Sequence, residues 1–248
     1  MMAGGREYVE RDYRDRMGAA DLTAFSVKVQ QTDLRILAER DLTEEAARSA
    51  RIARRTVEAW IESNPQFGPS LVPVDCPADA PRIIREMCAA AKAAGVGPMA
   101  AVAGAIAERV ARDLAPLSPN VIVENGGDVY VVGDRERTAL IFAGPSPLSN
   151  RLGLVIPAER QPLSVCTSSG TVGPSLSFGK ADAAVIVAGN GALADAVASA
   201  VGNRVQTAED LEAAVEVGAA IPGVMHVVAI IGDRMAAWGE LGLVKVGQ

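Results

Sequence analysis

Apolar positions repeat with two different periods along the chain. Tyr8 to Arg16 and Ala24 to Leu37 carry β-formers with partial alternation and predict opening strands. From Thr43 the period becomes helical: Ala46, Ala50, Ala53, Val57 and Trp60 recur at helical spacing, with Arg48, Arg51 and Arg55 on another face. Thr43 is placed to cap this helix, and Glu44 and Glu45 suit its positive end. A proline-rich loop runs from Asn64 to Pro77, and two helices follow, at Asp79 to Ala94 and Met99 to Leu114, divided by Gly95-Val-Gly-Pro98. Strands are expected at Val121 to Val123, Val129 to Val132, Thr138 to Phe142, Leu152 to Ile156, Leu163 to Thr167 and Ala183 to Ala188. Helices at Ala192 to Val201 and Ala208 to Val217 come next, then strands at Met225 to Ile231, Met235 to Trp238 and Leu241 to Val246.

Val131-Val-Gly-Asp-Arg135 and Ile230-Ile-Gly-Asp-Arg234 are nearly the same pentapeptide. An internal duplication would explain them, but so would two hairpins sharing one turn chemistry, with Gly133-Asp134 in the first turn. The hairpin reading is preferred. No charge shift or flexible linker divides the 248 residues, so the pattern predicts one α+β domain over 1–248.

Composition narrows the function. Lys and Arg number 24 against 30 Asp and Glu, a net charge of −6 that argues against a nucleic-acid surface. Three cysteines without CxxC spacing read as reduced thiols, and a single histidine excludes a His-rich metal site. The N-terminal stretch has no apolar signal region, and the uncharged run between Lys92 and Glu108 is too short to span a bilayer. A soluble, cytoplasmic protein is expected.

Three segments carry candidate chemistry. In Glu124-Asn125-Gly126-Gly127-Asp128, paired glycines turn the chain sharply and expose backbone N–H groups to a ligand, although a plain hairpin would use the same residues. In Cys166 to Gly179, the hydroxyls of Thr167, Ser168, Ser169 and Thr171 and the backbone at Gly170 follow an apolar strand, as an anionic phosphate requires where arginine is scarce. A long surface loop is the alternative. The third is Asp195, on a helix of alanine and valine without a cationic partner at helical spacing. Such a carboxylate must be exposed, hydrogen-bonded or bound to a cation. Ser199 lies one turn along the same face, and two hard oxygens so placed suit Mg²⁺.

Other patterns fail on inspection. Gly173 to Lys180 lacks both the spacing and the Ser or Thr of a P-loop, because Ala181 follows the lysine. Gly189-Asn-Gly-Ala-Leu-Ala194 matches a dinucleotide fingerprint without the second strand of a βαβ unit. Nothing brings Cys166 and His226 together as a thiolate and its base.

In this order the three segments resemble the ApbE family of flavin transferases, which use FAD and magnesium: a GGD turn at Gly126 to Asp128, a TSG-like strand end at Thr167 to Gly170, and the helix Ala194-Asp-Ala-Val-Ala-Ser-Ala200. With GPMAAVAGAIAE upstream, the run CTSSGTVGPSLSFGKADA resembles an ApbE-related family, UPF0280, over most of the chain. The resemblance implies a mixed or antiparallel sheet packed with helices. It also implies a nucleotide site at Asn125 to Asp128 and Thr167 to Thr171, and a Mg²⁺ site at Asp195 and Ser199. The implied ligand is FAD or another nucleotide, and the implied activity is FMN or nucleotidyl transfer. Where ApbE enzymes carry a Lys-Gly pair and an Asp, this chain has Ala103-Gly104 and Glu108; the family's His-rich segment is absent, and Ser199 replaces threonine. Asp182 and Glu108 are the candidate general bases. A non-catalytic nucleotide- or anion-binding module acting through partners is the rival reading, and a protein substrate or a homo-oligomer fits either.

Overall fold

Residues 19–171 and 177–246 are described by the structure, a computed structural model. The strand expected at Tyr8 to Arg16 lies outside them. The segment 24–37 is a hairpin rather than one strand: β1 (Thr23–Val29) turns at Gln30-Gln31 and returns as β2 (Thr32–Ala38). Gln30 takes φ of 52°, a left-handed conformation that no glycine or asparagine announces. Helix α1 (Thr43–Ser63) begins at Thr43, but that residue is not its cap. The cap position is Leu42, and Asp41 accepts from both the Thr43 N–H (2.8 Å) and its hydroxyl (2.6 Å). Helix α2 (Arg82–Ala94) stops at Gly95, whose φ of 71° makes a left-handed C-cap. The segment after it divides into a 3-10 turn, Pro98–Ala101, and α3 (Val102–Leu114).

The remaining elements are β3 (Val121–Asn125), β4 (Asp128–Val132), β5 (Arg137–Leu140), β6 (Leu152–Ile156), β7 (Leu163–Ser168), β8 (Ala183–Ala188), α4 (Gly191–Arg204), α5 (Leu211–Ala219), β9 (Val224–Ile231), β10 (Arg234–Gly239) and β11 (Leu243–Lys245). Eight strands form one sheet in the order β1-β2-β3-β4-β7-β8-β9-β10, and β11-β6-β5 form a second. Every pairing among the described strands is antiparallel. The large sheet is two halves of the same design: two strands, helices, two strands, joined where β4 meets β7. The helices bury one face of it in a core rich in alanine, including Ala46, Ala50, Ala107, Ala194 and Ala198. Val165, Val185 and Val228 on the other face pack with Leu154 and Ile156 of the small sheet. Among the described residues, no single helix is long and apolar enough to cross a membrane.

The pentapeptides part company. Ile230 to Arg234 does form a hairpin, turning at Gly232 with φ of 57° between β9 and β10. Gly133-Asp134 does not, because β4 pairs with β3 and β7 while β5 pairs with β6 in the other sheet. There the Asn120 side-chain oxygen Oδ1 accepts from Asp134 N–H at 3.3 Å and lies 2.5 Å from where a Gly133 side chain would begin, steering the chain across to the second sheet. One copy ends β4 and the other joins β9 to β10, so the repeated words are not a trace of the repeated topology.

Candidate functional site

The seam between the two halves gathers most of the residues singled out in the sequence. Gly126 and Gly127, with φ of 69° and 107°, make a two-residue turn that sets Asn125 opposite Asp128. The hairpin and the proposed ligand turn are therefore the same object. Glu124 holds the turn by accepting from Gly127 N–H at 2.8 Å, and the Asn125 side-chain amide donates to Ala103 O at 3.0 Å.

Asp128 pairs with Cys166 of β7, and strand alternation turns Cys166 and Ser168 toward the helices. Thr167 pairs with Val185, so its side chain falls on the opposite face and only its backbone is available at the seam. Asp128 is buried, with the Cys166 thiol and Thr167 N–H beside it, yet its Oδ1 has no hydrogen-bond partner. Burial pushes its carboxyl well above the usual carboxylate range, and the neighbouring Asp195 adds to the rise. Burial raises the Cys166 thiol too, with Asp128 beside it, so Cys166 stays protonated. His226 pairs with Val187 on the sheet face away from Cys166, which leaves no Cys–His dyad.

Asp195 is hydrogen-bonded, the second of the three options its helix left open. Its Oδ2 accepts from Gly104 N–H at 2.9 Å, in the first turn of α3. Glu108, one turn further along α3, returns the bond: its Oε2 accepts from Gly191 N–H, the first amide of α4, at 2.6 Å. The two helices cross where Gly104 meets Gly191, so closely that a Cβ on either would lie 2.2–2.4 Å from the other's carbonyl oxygen. Each helix start is thus capped by an acid from the other, in a reciprocal brace. Burial pushes Asp195 up to about 7 against the pull of the Gly104 and Ala103 amides. Ser199 is half-buried one turn along the same face, and Ser168 Oγ lies 3.6 Å from where a Gly202 Cβ would sit.

The rest of the predicted loop turns elsewhere. Thr171 bonds with Ser169 and donates to Asp182 Oδ1 at 3.1 Å, while Asp182 Oδ2 accepts from Gly232 N–H at 2.7 Å. Ser169 and Thr171 therefore bond toward the β9–β10 hairpin, and Gly170 N–H is spent on Ala181 O at 2.8 Å. Residues 172–176 of that segment lie outside the described residues. Both candidate bases are committed: Asp182 to the hairpin, and Glu108 to Gly191 and to Arg112, whose Nε donates at 2.7 Å. The brace was not anticipated, although its signal is present as Gly104-Ala-Ile-Ala-Glu108 and Gly191-Ala-Leu-Ala-Asp195. The fingerprint at Gly189 has no βαβ unit, since β8 and β9 are antiparallel.

The residues present fit a cation. Asp128 and Asp195 lie near enough for their charges to interact, one carboxylate oxygen is buried without a partner, and no ion pair reaches either acid among the described residues. No group of three His, Cys, Asp or Glu side chains stands close enough there to hold a metal unaided. A hard cation would draw further oxygens from Ser199, backbone or ligand phosphate, as Mg²⁺ commonly does.

A family model described as "AbpE bacteria" matches residues 14–233. A UPF0280 protein of Methanocella arvoryzae is 47% identical over 189 residues, covering 76% of this chain and 77% of the relative. One from Methanosarcina acetivorans is 39% identical over 217 residues, covering 86% and 85%. Among solved structures, the ApbE protein of Thermotoga maritima superposes with a TM-score of 0.61 at 13% identity, covering 87% of this chain and 96% of that one. The flavin transferase ApbE of Vibrio cholerae, as its H257G mutant, gives a TM-score of 0.53 at 11% identity, covering 88% and 97%. At such identities these structures establish the α+β fold alone.

Proposed function

We propose, from the premise that this chain belongs to the AbpE bacterial family and to the UPF0280 proteins, that it binds a flavin or other nucleotide diphosphate with Mg²⁺ and transfers FMN or a nucleotidyl group. The observation that carries this reading is the orphaned Asp128 Oδ1 beside Asp195 at the seam. A buried carboxylate beside a second, half-buried one without a counter-ion is costly, and a divalent cation offsets that cost. Both nearby helix starts are already neutralised by Asp195 and Glu108, so neither offers its dipole to phosphate. Phosphate charge at the seam would need a cation.

Asp195 and Ser199 would hold the ion, with Asp128 behind them. When bound, Mg²⁺ would neutralise bridging phosphate oxygens and polarise the phosphoryl group under attack. The chain's own part is positional. Gly104 N–H anchors Asp195 Oδ2 and so fixes the carboxylate. The turn at Gly126-Gly127 and the strand end at Thr167-Ser168 present backbone and hydroxyl groups to the phosphates. Small residues let a ligand approach the backbone.

One observation favours a non-catalytic nucleotide-binding reading: Glu108 and Asp182 are both occupied in structural bonds, so neither is free to take a proton. Titration calorimetry of FAD with and without Mg²⁺, on wild type and Asp195→Asn, tests binding. Chromatography for FMN and AMP separates transfer or hydrolysis from binding alone. Equal Mg²⁺-dependent affinity in the two proteins would remove Asp195 from the site.

A further inference from the structure

We infer that Phe178 is the stacking platform for the planar ring of the nucleotide, an inference that rests on the nucleotide-diphosphate reading above. Phe178 is 59% exposed, in a chain with only nine aromatic residues. Among the described residues Trp238, at 46%, is the other exposed large aromatic, and it lies on β10 at the far edge of the sheet. Phe178 instead follows the strand end that reaches the seam.

Its backbone is tied down on both sides. Phe178 N–H donates to Asn203 Oδ1 at 2.8 Å, and the Gln206 side-chain amide donates to Phe178 O at 2.8 Å. The next residue, Gly179, is pressed against Gly202, where a Cβ would lie 1.8 Å from the carbonyl oxygen. Gly170 is pressed in turn against Gly179, at 2.1 Å by the same measure. Three glycines therefore clamp this stretch to the end of α4. The fold keeps the backbone fixed while leaving the apolar ring in water, which gains nothing from burial. An uncovered ring on a fixed backbone offers a stacking surface, since every base or isoalloxazine offers a π-face.

Its distance along α4 suits the ligand. Asp195, Ser199 and Asn203 are spaced four residues apart and share one helix face. At 1.5 Å rise per residue, Asn203 stands about 12 Å along the axis from Asp195. Ser168 Oγ lies against Gly202, near the Asn203 end. A diphosphate anchored near Asp195 and Ser199, passing Ser168, would carry its ribose and ring toward the residue that Asn203 holds. The seam end would read phosphate and the Phe178 end a ring, so the site would take nucleotides in preference to bare pyrophosphate.

The test compares wild type, Phe178→Ala and Phe178→Trp, each titrated with FAD, ADP and inorganic pyrophosphate in Mg²⁺. Stacking contributions of the usual size predict that Phe178→Ala weakens FAD and ADP by about tenfold or more and leaves pyrophosphate unchanged. Phe178→Trp should retain nucleotide affinity and add a fluorescence signal quenched on binding. Melting temperatures of the three proteins should agree, because an exposed ring contributes little to the fold. FAD and ADP binding within twofold of wild type in Phe178→Ala would overturn the inference, as would an equal loss of pyrophosphate. If wild type binds pyrophosphate as tightly as FAD, the ring contributes nothing and the inference fails while the phosphate and metal reading stands. Wild type that binds none of the three defeats that reading, and this inference with it.

Discussion

Gly104→Ala puts a single methyl into the crossing of α3 and α4. The new Cβ would lie 2.2 Å from the Gly191 carbonyl oxygen and 2.9 Å from Asp195 Cβ, and backbone cannot swing aside as a long side chain can. The helices must separate, at about 1–3 kcal/mol for an overpacked core contact. Separation also stretches the Gly104 N–H bond to Asp195, and hydrogen bonds to charged groups contribute about 1.5–3 kcal/mol. The two effects share one displacement, so a combined loss of about 2–5 kcal/mol is expected. For a chain of this size that is roughly a 5–15 °C fall in Tm. Gly191→Ala strikes the same contact from the other side, 2.4 Å from the Gly104 carbonyl oxygen, and the double variant should cost less than the sum. Gly189→Ala is the control: nothing lies within 4 Å of its Cβ position, so it should melt with wild type. Differential scanning calorimetry in chelator reads all five proteins, wild type included. A Gly104→Ala protein melting within a degree of Gly189→Ala would refute both the close crossing and the brace built on it.

Two further predictions concern protons. His226 is buried with both ring nitrogens unpartnered, and burial lowers its pKa below 6.5. Between that lowered value and 6.5 the unfolded chain binds the extra proton, so His226 makes stability fall as pH drops through this window, by at most about 1.4 kcal/mol per pH unit. His226→Leu should flatten that slope in urea melts between pH 5 and 7.5 and leave the protein as stable or more so at pH 7.5; an unchanged slope counts against an unpaired imidazole. Asp128 acts with the opposite sign: its folded pKa is raised above 3.8, so the folded state holds the extra proton and stability falls as pH rises from about 4 through the raised value. In chelator, Asp128→Asn should lose less stability than wild type between pH 5 and 8, and equal losses would mean that Asp128 does not face Asp195 as a buried acid.

Local periodicity and end signals made most elements legible. Leu152 to Ile156 and Ala183 to Ala188 match their strands end for end, because apolar runs bounded by turn residues define both limits. The β1–β2 turn was hidden because Gln30 and Gln31 are ordinary residues forced into a turn by the pairing of Thr23 with Ala38 on either side. Gly133-Asp134 misled for the converse reason: a good turn dipeptide says nothing about which sheet the next strand joins. At the site, Gly126 to Asp128 and Asp195 were legible as residue types. Their partners were not, since Gly104 and Asp195 are 91 residues apart in sequence. The face taken by the Thr167 hydroxyl was not legible, because a list of hydroxyls ignores strand alternation, which turns it away from Cys166 and Ser168.

Asp128 and Gly104 come from the first half of the large sheet, and Cys166, Ser168 and Asp195 from the second. Neither half, taken alone, owns all of these groups; the proposed chemistry would belong to the joint. Selection on the site must therefore act on both halves at once, keeping two glycines and two acids matched across the seam. The outer strands β1 and β10, each at an edge of the sheet and distant from that joint, are released from this pairing. Inherited change should accumulate at the two margins, while the middle of the sheet drifts only in concert.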